Sequence, residues 1–303
     1  MQANEARARP AVAFLGLGAM GAAMVARLLD QGYTITVWNR SRKPAEELAR
    51  RGHIDHAESV IAAFTRRSIV HSMLTDDRVV LSVFSDDLLA ALPPGRVHVN
   101  HATISPTAAQ MLAERHARHG VGYVTAPVLG RSTVAATGAL LVVASGDQAA
   151  VATALPSLTS IGARVWNLGV DPRLGSVVKI AVNYSILHAL QSIAESVSLV
   201  EAAGIDPTTF VDILTHTAFS GSAHRGYGSI IAEKRYTPVG FAMPLGLKDL
   251  TLAQETASEL GVSLPVAAVL HELFTTAMAD SGLAGLDWSA VAEVTRARSS
   301  GNR

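Results

Sequence analysis

Apolar residues in the first half of the chain come in short blocks, while in the second half they recur at helical spacing. The blocks Ala11–Leu15, Tyr33–Trp38, Ser68–Met73, Val79–Val83, Val97–Asn100, Gly122–Ala126, Leu140–Ser145 and Ala163–Leu168 read as strands. Helical stretches lie between them, among them Ala22–Gln31, Lys43–Arg51 with Pro44 in its first turn, and Ser105–His119, where Ser105 precedes Pro106 as a good cap. Strands alternating with helices predict a parallel sheet built from βαβ units. After Asp171-Pro172 the pattern changes. Ser176–Ala203 reads as one long helix ending at Gly204, followed by helices at Pro207–Thr215, Gly246–Leu260, Pro265–Asp280 and Trp288–Arg298. The fold class expected is therefore α/β, with an N-terminal domain over residues 1–172 and an all-α domain over 173–303, joined by the long helix.

Composition narrows the class. The chain has 303 residues, 49% hydrophobic and 17% charged, enough for a sizeable core. Lysine plus arginine (25) equals aspartate plus glutamate (25), and no basic stripe with interleaved aromatics is present, so nucleic acid is not an expected partner. Cysteine is absent, which excludes disulfides, thiolate metal sites and cysteine nucleophiles and fits a cytoplasmic protein. The N-terminal MQANEARARP is too short and polar for a signal peptide, and AVAFLGLGAMGAAMVARLL is better explained by a strand, a glycine turn and a helix than by a membrane span.

That glycine turn carries the first candidate chemistry. Gly16, Gly18 and Gly21 in FLGLGAMG form G-x-G-x-x-G after a strand and at the start of a helix, with Leu17, Ala19 and Met20 between them. Such a loop allows a tight turn, lets the backbone approach a pyrophosphate and aims helix amides at the phosphates. At the end of the second strand, where an NAD site usually places a carboxylate, the chain has Asn39-Arg40-Ser41 followed by Arg42 and Lys43. Arg40 can grip a 2′-phosphate, which points to NADP rather than NAD; the plainer alternative is a solvated charge run.

Lys179 is the second candidate. It interrupts the apolar run GSVVKIAVNY, one helical turn before Asn183 and one after Gly175. Two readings fit. The lysine either snorkels its ammonium into water or exchanges a proton with a substrate oxygen that Asn183 holds, and Gly175, having no side chain, leaves room for a ligand.

FLGLGAMG, VWNRS, SMLTDD, ATISP, TAPVLGR, GSVVKIAVN and GLKDLTLA occur in the order seen in β-hydroxyacid dehydrogenases, and over roughly residues 11 to 300 the chain resembles that family. It includes 3-hydroxyisobutyrate dehydrogenases and glyoxylate/succinic semialdehyde reductases. The resemblance implies an N-terminal Rossmann domain, a helical C-terminal domain and an oxidoreductase that interconverts a small β-hydroxy acid and its carbonyl form. The family's catalytic lysine falls on Lys179 and its substrate-side amide on Asn183. Its nicotinamide-side contacts fall on Leu74, Thr75 and Thr103, a cofactor-reaching lysine on Lys248, and substrate-side residues on Phe241 and Asp249. Read without the resemblance, Lys248 and Asp249 are exposed helix charges.

The chain departs from the family at the substrate loop, usually D-A-P-V-S-G-G and here Thr125-Ala126-Pro127-Val128-Leu129-Gly130-Arg131. Ala102 also replaces the serine usual before Thr103. Leu129, Gly130 and Arg131 would line the substrate; Arg131 either clamps a carboxylate or points to solvent. Imine reductases share the architecture but generally carry Asp or Tyr where this chain has Lys179, and a non-catalytic NADPH-binding module is expected to lose that lysine. His98-x-x-His101 and His116-x-x-His119 lack the further ligands of a zinc site, so no metal is expected. Tyr184 and Trp166 read as core. The stretch from Phe219 to Tyr236 is either a connecting loop or a cleft lining with His224, Arg225 or Tyr227 near substrate. By resemblance, and from apolar helix faces such as Ile193–Val200, a homodimer or dimer-based tetramer is expected.

Overall fold

The computed structural model describes residues 11–300; the polar N-terminal stretch, residues 1–10, lies outside them. By contact the chain divides into two units that meet at Lys179 and Ile180.

The first unit is a nine-stranded sheet flanked by helices. Its strands are β1 (Val12–Leu15), β2 (Ile35–Trp38), β3 (Ile54–His56), β4 (Ile69–Ser72), β5 (Val97–Asn100), β6 (Gly122–Thr125), β7 (Val128–Leu129), β8 (Leu140–Gly146) and β9 (Gly162–Asn167). They lie in the order β3-β2-β1-β4-β5-β6-β8-β7, with β9 pairing β8. β1 to β6 are parallel neighbours, and β8 runs antiparallel to β6 and β7. The helices are α1 (Ala19–Asp30), α2 (Lys43–Ala49), α3 (Val60–Arg66), α4 (Asp77–Val83), α5 (Asp86–Ala90), α6 (Pro106–Arg118), α7 (Ser132–Ala136) and α8 (Gln148–Ile161). Both faces of the sheet are covered: Val12, Phe14, Ile35 and Val37 pack in the core that includes α1 and α8, while Ala13, Leu15 and Val70 pack in the one that includes α3 and α6. This is why the strands are apolar throughout instead of alternating.

The α/β expectation holds, with one element misread. Val79–Val83 is helix α4, not a strand, although it is rich in valine. Asp76 caps it by accepting the Val79 amide at 2.9 Å, and Asp77 places a second carboxylate in the first turn, so capping outweighs β-propensity. β3 and β7 are too short to stand out as apolar blocks.

The long α9 (Arg173–Ala202) belongs to both units by contact. The second unit continues with α10 (Pro207–Thr215), α11 (Ser222–Ala232), α12 (Met243–Glu259), α13 (Ala267–Ala279), a single 3-10 turn at Trp288–Val291 and α14 (Ala292–Ser300). Its core gathers Leu187, Leu190, Ile193 and Val197 of α9 with Met243, Leu270, Phe274 and Trp288. Among the described residues α9 alone is long and apolar enough to cross a membrane by length and composition. Here its apolar face is spent on the unit's own core, so Ile193 and Val197 are not free for a partner. The glycine-broken stretch after Phe219 is mostly helix: Tyr227 is buried edge-on against Trp288, His224 packs on Phe219, and Arg225 donates to the Ser220 carbonyl. Trp166 is half-buried on β9 beneath Arg164, and Tyr184 is half-buried, so neither is the core residue expected.

Candidate active site

Between β1 and β4 the strand order reverses, and the carboxyl ends of these two strands frame the crevice where open α/β sheets bind ligands. The glycine loop sits there, and each glycine answers to a different constraint. Gly16 has φ +91°, and a Cβ on it would lie 2.4 Å from the Met73 carbonyl. A Cβ on Gly21 would lie 2.1 Å from the Gly16 carbonyl. At Gly18 no atom lies within 4 Å of the Cβ position, so the absence of a side chain there leaves room outside the protein. Gly18 is also the N-cap of α1, with no side-chain cap and no acidic residue in the first turn. Uncapped amides at Ala19, Met20 and Gly21 and the positive end of the helix dipole suit an anion.

The end of β2 is tied to this loop. The Gly16 amide donates to the Trp38 carbonyl (2.9 Å), and the Leu17 amide donates to Asn39 Oδ1 (2.9 Å). Asn39 Nδ2 in turn donates to the Ser41 carbonyl at 3.0 Å and to Ser41 Oγ at 3.2 Å. Asn39 and Ser41 thus shape the turn that presents Arg40, which is exposed beside exposed Arg42 and Lys43. The pairing explains why Asn39 follows β2: its amide both accepts and donates, which a carboxylate cannot do.

The ends of β4 and β5 lie side by side. Met73 donates to the Leu15 carbonyl, and His101 donates to the Ser72 carbonyl. Leu74 follows β4 half-buried, with Cδ2 3.0 Å from the Cβ position of Gly16; Thr75 is exposed and donates to Asp76. Thr103, half-buried, follows β5. Asp77 joins the two loops, accepting from the Ser105 amide at 2.9 Å and from Ser105 Oγ at 2.5 Å. Gly16–Gly21, Asn39–Ser41, Leu74 and Thr75 therefore border the crevice, with Thr103 on the neighbouring loop. Asp77 was not foreseen, since its partner Ser105 lies 28 residues away.

The residues expected at the substrate are fixed by the sheet. Val128 and Leu129 pair with Val142 and Leu141, and Gly130 has φ +136° with a Cβ position 2.8 Å from Leu140 Cδ2. The glycine is thus required by the backbone and by β8. Arg131 is half-buried and precedes α7 as its N-cap.

On α9, Lys179 is 8% exposed and Asn183 3% exposed. Lys179 is thus buried as a residue, one helical turn before buried Asn183. Gly175 lies inside the helix, and its missing side chain makes room for protein, not ligand: a Cβ would meet Ser145 Oγ and the Val143 carbonyl at 3.1 Å. Its amide donates to Ser145 Oγ at 3.0 Å. Within the helical unit, Asn183 Nδ2 donates at 2.5 Å to Asp249 Oδ2, and Asp249 is 1% exposed. Lys248 Nζ lies 3.2 Å from the other Asp249 oxygen. Asp249 is therefore no exposed helix charge; it orients the Asn183 amide. Phe241 packs on Trp288 with ring centroids 4.5 Å apart.

A glycine loop at a sheet's switch point and a helix N-terminus open to phosphate define a dinucleotide-binding protein. Comparison with known proteins gives the family. Residues 11–169 match the NAD binding domain of 6-phosphogluconate dehydrogenase, and residues 174–295 match the domain described as NAD-binding of NADP-dependent 3-hydroxyisobutyrate dehydrogenase. The chain is 33% identical to an uncharacterized oxidoreductase of Bacillus subtilis, over 92% of this chain and 98% of that one. It is 31% identical to glyoxylate/succinic semialdehyde reductase 1 of Arabidopsis thaliana, over 94% and 98% of the two chains. The crystal structure of 3-hydroxyisobutyrate dehydrogenase from Salmonella typhimurium superposes with a TM-score of 0.85 at 26% identity, covering 94% of this chain and all of that one. The chain belongs to the β-hydroxyacid dehydrogenase family. It is an NAD(P)-dependent oxidoreductase acting on a small-molecule hydroxyl or carbonyl group.

Proposed function

We propose that this enzyme prefers NADP(H) and interconverts a small β-hydroxy acid and its aldehyde or keto form, with Lys179 as general acid and base. The observation that carries the reading is the buried lysine one turn before a buried asparagine whose amide is held by Asp249. When bound, the nicotinamide supplies or accepts the hydride at C4. In reduction Lys179 Nζ gives its proton to the carbonyl oxygen as the carbon gains the hydride; in oxidation it takes the proton back from the hydroxyl. Asn183 orients that oxygen.

The glycine loop holds the pyrophosphate on the α1 amides, while Asn39, Arg40 and Ser41 hold the adenosine end. Leu74, Thr75 and Thr103 take the nicotinamide side, and Lys248 also serves the cofactor. Leu129, Gly130, Arg131, Phe241 and Asp249 line the substrate. The preference for NADP rests on the absence of a carboxylate at the end of β2 and on exposed Arg40, and is supported by the description of the second matched domain. A homodimer, or a dimer-based tetramer, is supported by Leu199, 72% exposed on α9, and by exposed Ile213 on α10. The lack of cysteine supports a cytoplasmic setting.

Two variants test this reading. Lys179→Ala should lower turnover by about 100-fold or more on a substrate found by screening hydroxy acids and aldehydes, while NADP+ binding by calorimetry stays within about threefold. Near wild-type turnover would sink the assignment. Arg40→Ser should weaken NADP+ by roughly tenfold and leave NAD+ unchanged; an equal effect on both cofactors would remove Arg40 from 2′-phosphate recognition.

A further inference from the structure

Four histidines of the nucleotide-binding unit, His71, His98, His101 and His116, are completely buried, and none belongs to the machinery described above. They form two hydrogen-bonded chains, one on each face of the sheet. On the first, His101 Nδ1 meets the Ala126 carbonyl at 2.7 Å, His71 Nδ1 meets His101 Nε2 at 2.8 Å, and Ser157 Oγ meets His71 Nε2 at 2.9 Å. On the second, His116 Nδ1 meets the Leu112 carbonyl at 2.7 Å, His98 Nδ1 meets His116 Nε2 at 2.9 Å, and Ser72 Oγ meets His98 Nε2 at 2.8 Å.

The carbonyl at one end of each chain fixes the ring next to it. A carbonyl only accepts, so His101 and His116 carry hydrogen on Nδ1 and offer a lone pair at Nε2. With neutral rings His71 and His98 then donate from Nδ1, and their Nε2 atoms are acceptors for the hydroxyls of Ser157 and Ser72. Burial holds all four rings in the neutral state this requires, lowering the pKa of each, to about 4 for His101 and His116. Each serine also has a second acceptor within reach, the Ala154 carbonyl for Ser157 and Asn100 Oδ1 for Ser72.

Both chains end at the same place. His101 opens the segment that leads to Thr103, and its ring is fixed by the first chain. Ser72 is the last residue of β4, and Asn100, its second acceptor, takes the Ala102 amide at 3.1 Å. The backbone joins the two, since the His101 amide donates to the Ser72 carbonyl.

We propose that Ser72, His98 and His116 on one face and Ser157, His71 and His101 on the other are positioning residues that hold the ends of β4 and β5 as a platform for the nicotinamide half of the cofactor. The proposal rests on the reading above that this crevice binds NADP+ with Leu74, Thr75 and Thr103 on the nicotinamide side. Phe14 stacks on His71 and His101, and Phe84 on His98, so each chain is clamped laterally as well as end to end.

The test compares two ligands on the full-length enzyme. NADP+ spans the whole crevice, whereas 2′-phospho-ADP-ribose lacks the nicotinamide and uses only the glycine loop and the β2 end. Ser72→Ala and Ser157→Ala each remove one hydroxyl and leave a buried acceptor unpaired. Each should weaken NADP+ by about three- to tenfold, Ser72→Ala the more, and leave 2′-phospho-ADP-ribose within twofold. Equal loss for both ligands, or no loss for either, would overturn the proposal. Should neither ligand bind the wild type, the cofactor reading itself fails. Ring 15N shifts of the wild type give a second, mutation-free measurement: all four histidines are expected in the Nδ1–H tautomer, and an Nε2–H tautomer at His71 or His98 would break the chain on that face.

Discussion

The two units bury polar side chains in opposite ways. The nucleotide-binding unit encloses neutral histidines, strung between serines and backbone carbonyls on both faces of its sheet. The helical unit encloses a full charge. Arg296, nearly buried on α14, receives Glu201 as a bidentate partner at 2.9 and 3.0 Å, meets Glu293 Oε1 at 2.5 Å, and also donates to Tyr236 Oη and the Ile231 carbonyl. Burial opposes its charge, but Glu201, Tyr236 and Glu293 raise its pKa above the ordinary arginine value. Polar groups are satisfied in both places, yet the currencies differ: directional hydrogen bonds that require neutrality in one, Coulombic pairing that requires ionisation in the other.

Acid should separate the two most strongly. The folded-state pKa values of His101 and His116 lie near 4, below the ordinary 6.5, so the histidine contribution is fully present above pH 6.5. Below that, the unfolded chain takes up protons that the folded chain refuses, and stability falls until about pH 4. The loss is on the order of 3 kcal/mol for each of these two rings. Arg115 and His119 further disfavour charge on His116, and Tyr123, raised to about 12 by its burial, stays neutral throughout. Hydrogen exchange at pH 7 and pH 4.5 should show the protection loss in β4, β5 and α6, with α11 and α14 little changed. A uniform loss across both units would break the comparison.

A smaller effect sharpens it from the other side. Arg296→Ala leaves Glu201 and Glu293 without their shared cation and should cost about 3 kcal/mol in denaturant unfolding. That loss should appear in α9, α11 and α14, while β4, β5 and α6 keep their wild-type protection at both pH 7 and pH 4.5. A loss in β4, β5 and α6 as well would mean that the two polar clusters are not independent.

Much of this was legible in the sequence, and the exceptions share a cause. The glycine loop, the end of β2 and the long helix are local signals: each is set by spacing within a few residues, and each is found where the pattern placed it. The valine-rich α4 went astray because strand propensity is weak beside two aspartates poised to cap a helix. The stretch from Phe219 to Tyr236 was misread as a connecting loop because its glycines suggested a break, whereas Tyr227 anchors helix α11 on Trp288. Gly175 was readable as a glycine next to chemistry, but the atoms that exclude a side chain there belong to β6 and β8. The histidine chains lay furthest from view. His71 reaches a partner 30 residues away and another 86 away, so only the strand order brings them together. Their one sequence signal was a histidine inside otherwise apolar strands, at positions where both faces of a parallel sheet are covered.

Ser145 makes a last point about where this enzyme can be taken apart. Its hydroxyl accepts the Gly175 amide and donates to the Pro172 carbonyl, so the first turn of α9 is fitted to β8 and not to the helices that follow it. A chimera that swapped helical modules between relatives with its seam at the composition change, near residue 172, would pair a foreign first turn with a socket cut for this glycine. A seam placed after Lys179 would carry the turn along with its own strand, and that is the natural joint for modular exchange in this protein.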